Sequence, residues 1–143
     1  MTIAIQIFWG SIVLGICSVV HITIIVWSIS LMKVLGPKLT RYSAKVRLSV
    51  LLGKAFGFVI ISHSIQVWIL AFSFVISTAI PHIGDAVYFS LTTYTTLGYG
   101  DVLLGEDFRI YGAMASVTGL LNIGLSTAFL AGLLSKLLPW DRP

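Results

Sequence analysis

Apolar residues dominate three long runs of the chain, and within each the charged side chains vanish: residues 3–32, 55–84 and 110–135 contain no Asp, Glu, Lys or Arg. A helix needs roughly 20 consecutive apolar residues to cross the hydrocarbon of a bilayer, and each run exceeds that. Inside lipid a backbone must satisfy its own donors and acceptors, so such runs predict helices. The expected elements are a first span over 1–36 ended by Gly36-Pro37, a second over 54–80 ended by Pro81, and a third over 109–138 ended by Pro139. Residues 139–143 then form a short tail with Trp140 at the interface. Trp9 and Trp27 stand near the two ends of the first span, where indoles favour the headgroup boundary.

A different pattern separates the second and third spans. Residues 85–101, DAVYFSLTTYTTLGYGD, carry no charge between their terminal aspartates and are far too few to cross and return. An apolar segment of that size is expected to be re-entrant. Asp85 follows Gly84 and suits a helix N-terminus, where a carboxylate meets exposed amides. A short helix is therefore expected over 85–95, with the glycine-rich run 96–101 climbing back out. Non-helical backbone at membrane depth is tolerated only where protein or a water-filled cavity surrounds it, so the pattern alone predicts a pore.

Composition points the same way. Of 143 residues, 57% are hydrophobic and 10% charged, whereas a soluble domain carries about 25% charged residues. The first span lacks a basic leader region and is expected to persist as an anchor. Lys33, Lys38, Arg41, Lys45, Arg47 and Lys54 lie between the first two spans without any acidic residue. The positive-inside rule makes that linker cytoplasmic, which puts the N-terminus outside, the 85–101 segment outward and the C-terminus inside a plasma (inner) membrane. Residues 37–53 are expected to form a short interfacial helix, with Lys38, Arg41 and Lys45 on one face and Leu39, Tyr42 and Val46 beside it. Insertion topology accounts for this basic cluster, and no nucleic-acid partner is expected. Contact of Lys38, Arg41, Lys45 and Arg47 with anionic lipid, about 1 kcal/mol for each cation, stays open. The lone Cys17 reads as a small core residue.

The run Thr95-Thr96-Leu97-Gly98-Tyr99-Gly100-Asp101 resembles the selectivity filter of the potassium-channel pore-loop family, with Leu97 in place of the commoner valine. The resemblance covers about residues 54–138 and leaves the first span outside. It implies an all-α membrane protein with the tetrameric potassium-channel pore fold: three transmembrane helices plus a re-entrant pore helix and filter. One loop per chain implies a homotetramer, passive conduction with K+ as the permeant ion, no cofactor and no enzymatic activity. A bare cation in a low-dielectric medium is costly by tens of kcal/mol, so backbone carbonyls must replace its water. Successive carbonyls can face one axis only if the backbone alternates in hand, and glycine reaches positive φ freely. By resemblance, Thr96, Leu97, Gly98 and Tyr99 supply the ion-binding carbonyls, and Gly98 and Gly100 the conformational freedom. Tyr99 is expected to brace the filter against Tyr88 and Phe89, and Asp101 to mark the outer mouth and concentrate cations. Thr92 occupies a position where some family members carry glutamate, which removes a partner for Asp101.

Polar residues within the spans form a second group of candidates. Asn122 is expected to face the cavity below the filter or to bond a neighbouring helix. Gly124, with Ala128 and Gly132, reads as close helix packing or as a hinge. His21 and His63 are expected at similar depth, near Gln66 and Thr23, as a neutral hydrogen-bonded pair or a pH switch. Rival readings fare worse: a dinucleotide-binding enzyme would need glycine where Leu103 stands, and a regulatory subunit without its own pore leaves the filter-like run unexplained.

Overall fold

The computed structural model describes residues 1–137, and every regular element among them is helical. Helix α1 spans Ile3–Lys38, α2 Ala44–Ile76, α3 Ile83–Tyr94 and α4 Arg109–Leu137, with a 3-10 turn at Glu106–Phe108 leading into α4. The three long helices are apolar and long enough to cross a membrane. Helix α3, with 12 residues, is about 18 Å long and is not. The expected stop at Leu138 and Pro139, the interfacial Trp140 and the tail lie outside the described residues.

Several boundaries depart from the sequence expectation. Helix α1 carries Gly36 and Pro37 within its last turn, and the Leu39 amide closes it on the Leu35 and Gly36 carbonyls at 3.1 and 3.2 Å. The basic segment 37–53 forms no separate surface helix. Only the residues between Lys38 and Ala44 are non-helical, and Ser43 holds the N-cap of α2, its Oγ 3.5 Å from the Val46 amide. Lys45, Arg47 and Lys54 therefore ride on α2, because the aliphatic residues between them continue the helical stripe of the span. At its other end α2 stops at Ile76, short of Ile80. Thr78 adopts a left-handed φ of 59°, and the Ile80 amide turns back to the Phe74 carbonyl at 3.2 Å. That reversal ends the helix before Pro81 is reached. In α3 the Ala86 amide bonds the His82 carbonyl at 2.9 Å. His82, not Asp85, holds the cap position, and Asp85 sits in the first turn, where its charge complements the helix dipole.

Helix α1 packs against both α2 and α4, and α3 wedges between α2 and α4. Lipid tails give helices no hydrophobic reason to associate, so packing and interhelical hydrogen bonds must hold this bundle. Close approach is visible at Gly10, where a Cβ would run into the Met114 side chain. Toward the α3 end, Phe74 meets Phe89 and Tyr111 edge-on at centroid distances of 5.1 and 5.4 Å, in a core that includes Cys17, Leu70 and Tyr94. At the opposite end Met32, Leu51 and Ala55 pack with Phe129 and Leu133. Gln6 of α1 supplies a polar tie: its Oε1 accepts from the Ile110 and Tyr111 amides at 3.0 and 3.3 Å. These are first-turn donors of α4 that its own helix cannot satisfy.

Candidate functional site

Helix α3 delivers the chain to the glycine-rich loop. After Tyr94, the Thr96 amide returns to the Thr93 carbonyl and the Gly98 amide to the Thr92 carbonyl, both at 3.0 Å. Helix α4 holds this junction from below: Ser116 Oγ donates to the Thr93 carbonyl at 3.0 Å, and Gly119 lies so close to the Tyr94 carbonyl that a Cβ would overlap it. From there every second residue is left-handed, with φ of 60° at Thr96, 50° at Gly98 and 79° at Gly100, while Leu97 and Tyr99 are not. Alternating hands align successive peptide groups toward one side, where a regular strand would point them to both. The two glycines adopt this at no steric cost. Thr96 does so against about 1–2 kcal/mol of strain, the kind of strain that surrounding structure sustains at functional sites. Residues Thr95 to Asp101 are all exposed on the subunit surface.

The C-terminal end of the loop is tied by Tyr88, whose hydroxyl donates to Asp101 Oδ2 at 2.6 Å. That bond holds the Asp101 carboxyl below its ordinary range, because the hydroxyl favours the charged form. Thr92 takes no part, since its hydroxyl donates to the Tyr88 and Phe89 carbonyls of its own helix at 3.1 Å. Within one subunit Tyr99 is not buried against Tyr88 and Phe89, the brace expected of it. Tyr88 is engaged with Asp101, Phe89 packs on Phe74, and Tyr99 stands 68% exposed.

Beneath the loop the structure gathers polar residues from all four helices. The His21 and His63 rings lie 5.1 Å apart. His21 Nδ1 is 2.7 Å from Ser62 Oγ and 3.0 Å from Gln66 Nε2, and its Nε2 is 3.0 Å from Ser126 Oγ. His63 Nε2 reaches the same Ser126 Oγ at 3.0 Å, and its Nδ1 lies 2.6 Å from the Tyr94 hydroxyl. Tyr94 donates to Gln66 Oε1 at 3.0 Å, and Asn122 Nδ2 to the same oxygen at 2.7 Å. The expected cavity-facing Asn122 is thereby corrected: it is 2% exposed and points into its own subunit. Thr23 lies outside the cluster and donates to the Val19 carbonyl of α1 at 2.8 Å.

Gly124 lies within an uninterrupted α4, exposed, and among the described residues a Cβ there or at Gly132 would meet nothing within 4 Å. Within the subunit, a close approach on α4 lies at Gly119. Lys38, Arg41 and Lys45 are exposed, with the Arg41 guanidinium 4.9 Å from the centre of the Tyr42 ring. Sequence reasoning missed Ser62, Ser126, the Tyr94 hydroxyl and Gln6. The signal that singled out Asn122, a polar group inside a charge-free run, was present at each.

A family model described as an ion channel matches residues 58–137, more than half of the chain. The match takes in most of α2, all of α3 and the loop, and α4, and it leaves α1 outside. No curated protein and no solved structure matches the chain.

Proposed function

The chain belongs to this ion-channel family, and from that premise we propose that four copies enclose a potassium-selective pore through which K+ passes down its electrochemical gradient. The observation that carries this reading is the alternation of backbone hand at Thr96, Gly98 and Gly100 within Thr-Leu-Gly-Tyr-Gly. With that alternation the carbonyls of Thr96, Leu97, Gly98 and Tyr99 serve as a column of oxygens able to stand in for a hydration shell. One subunit supplies one side of such a column, and fourfold symmetry supplies the rest. Exposure of Leu97 and Tyr99, at 56% and 68%, supports covering of the loop by further copies, since irregular backbone at membrane depth needs protein or a water-filled cavity around it. Asp101, ionised and held by Tyr88, raises cation concentration at the outer mouth. The N-terminus is outside, and the basic turn between α1 and α2 faces the cytoplasm and the anionic leaflet. The test is ion flux from liposomes holding the purified chain: potassium-driven flux from a particle with the mass of four chains is expected. Equal sodium flux, or conduction by a smaller particle, overturns the reading.

A further inference from the structure

The polar cluster under the loop obeys a strict directional logic. The Ser62 backbone carbonyl, which can only accept, lies 3.2 Å from Gln66 Nε2. This fixes the Gln66 amide: nitrogen toward Ser62 and His21, oxygen toward Tyr94 and Asn122. An amide nitrogen cannot accept, so with Gln66 Nε2 at 3.0 Å and Ser62 Oγ at 2.7 Å, His21 Nδ1 is the acceptor, and the proton of a neutral His21 resides on Nε2 and is given to Ser126 Oγ. Ser126, accepting there, directs its own proton to His63 Nε2, which places the His63 proton on Nδ1, facing the Tyr94 hydroxyl. Tyr94 in turn donates to Gln66 Oε1. The chain of donors closes on the residue where it began, and each of its members donates once and accepts once around the circle.

This ring touches the loop at one residue. Tyr94 is the last residue of α3, its carbonyl is seated against Gly119, and Thr95 and Thr96 follow directly. His21 is the ring's only member from α1, the helix outside the family match. We propose that the hydrogen-bonded ring is a positioning device for the inner end of the filter, and that through Ser126, His63 and Tyr94 it makes His21 of α1 a determinant of ion selectivity. The proposal rests on the reading of residues 96–100 as the cation pathway. An extra proton on either imidazole adds a donor where the circle needs an acceptor, so the closed ring requires both histidines neutral. The other titratable side chains buried on the packed elements are Cys17 of α1, Tyr94 of α3 and Tyr111 of α4. Between residues 3–32, 55–84 and 110–135 no Asp, Glu, Lys or Arg faces the pair.

The direction of the ring yields a test that bulk and packing cannot mimic. Glutamine presents its amide nitrogen where histidine has Nε2, and asparagine where histidine has Nδ1. Bi-ionic K+/Na+ reversal voltages of the full chain in liposomes should therefore show His21→Gln, which keeps the donor to Ser126, retaining more of the K+ preference than His21→Asn, and His63→Asn, which keeps the donor to Tyr94, retaining more than His63→Gln. His21→Asn, His63→Gln and Tyr94→Phe should lower the K+ preference by roughly three- to fifteenfold, the range of one interhelical hydrogen bond in a membrane. Acid should reduce the preference of the wild type but not of the His21→Gln, His63→Asn double variant. Nitrogen-15 NMR of the unmutated protein decides the matter even if variants fail to fold: Nε2–H at His21 and Nδ1–H at His63 are expected, and the reverse tautomers overturn the ring. A selective wild type in which glutamine and asparagine are equivalent at both positions overturns this proposal alone. A wild type that does not prefer K+ overturns the filter reading and this proposal with it.

Discussion

The Tyr88 hydroxyl donates to Asp101 Oδ2 across 2.6 Å, joining the middle of α3 to the end of the glycine-rich loop. The bond depresses the Asp101 pKa, so it stabilises the loop above the ordinary carboxyl range and is lost as pH falls through the lowered folded value. Tyr88→Phe removes the donor that favours the charged form, and the Asp101 pKa rises toward the ordinary carboxyl range. External acid should then reduce current at a higher pH in Tyr88→Phe than in the wild type. A proton-block curve measured from the outer side checks this, and identical curves would mean that the bond does not govern Asp101.

Gly119 gives a prediction about packing. Its missing Cβ leaves room for the Tyr94 carbonyl, and Gly119→Ala should lower stability by about 1–3 kcal/mol, as overpacking does. Gly15 of α1, where a Cβ would meet nothing within 4 Å among the described residues, is the control. There alanine should be neutral or stabilising by up to about 1 kcal/mol, the difference in helix propensity. Thermal unfolding of both variants in detergent separates the two outcomes.

How far the sequence could foretell this structure depended on what each residue had to know. The three spans are legible because absence of charge over 26 to 30 residues is a one-dimensional signal. So is the re-entrant segment, since its length and its aspartates admit few alternatives. The end of α2 is not legible: Pro81 is the obvious stop, yet the left-handed Thr78 reverses the chain first. Asn122 is visibly polar in mid-span, but which way it points depends on the rotation of α4 against its neighbours, a quantity set by packing at positions such as Gly119 against Tyr94 of α3. His21, His63 and Gln66 were each visible as polar groups, while Ser62 and Ser126 passed as small residues. Only the mutual approach of four helices turns them into one network.

Gln6 is expected to matter through two amides far from it in sequence. Gln6→Leu leaves the Ile110 and Tyr111 N–H groups without their acceptor, at a cost of about 1 kcal/mol, comparable to loss of an N-cap. Hydrogen exchange at those two amides should accelerate, while Gln6→Glu, which keeps an acceptor at a helix N-terminus, should retain protection. Unchanged exchange in Gln6→Leu would show that the cap carries no weight.

Asn122→Asp separates a cavity position from a buried one. Because Asn122 Nδ2 donates to Gln66 Oε1 inside the subunit, a carboxylate there should leave block by internal polyvalent cations unchanged. It should instead destabilise the protein by about 1–3 kcal/mol, through an acceptor facing an acceptor. Stronger polyvalent block would place the side chain in the conduction path.

Backbone oxygens of Thr96 to Tyr99 are proposed to select the permeant ion. The most direct test is the reversal voltage of the purified chain in liposomes under opposed potassium and sodium gradients. Selection by these oxygens predicts a voltage that follows the potassium gradient by about 59 mV for each tenfold change, and that loses this dependence in Gly98→Ala, where φ is 50°. A reversal voltage that follows sodium equally, or that Gly98→Ala leaves unaltered, contradicts it.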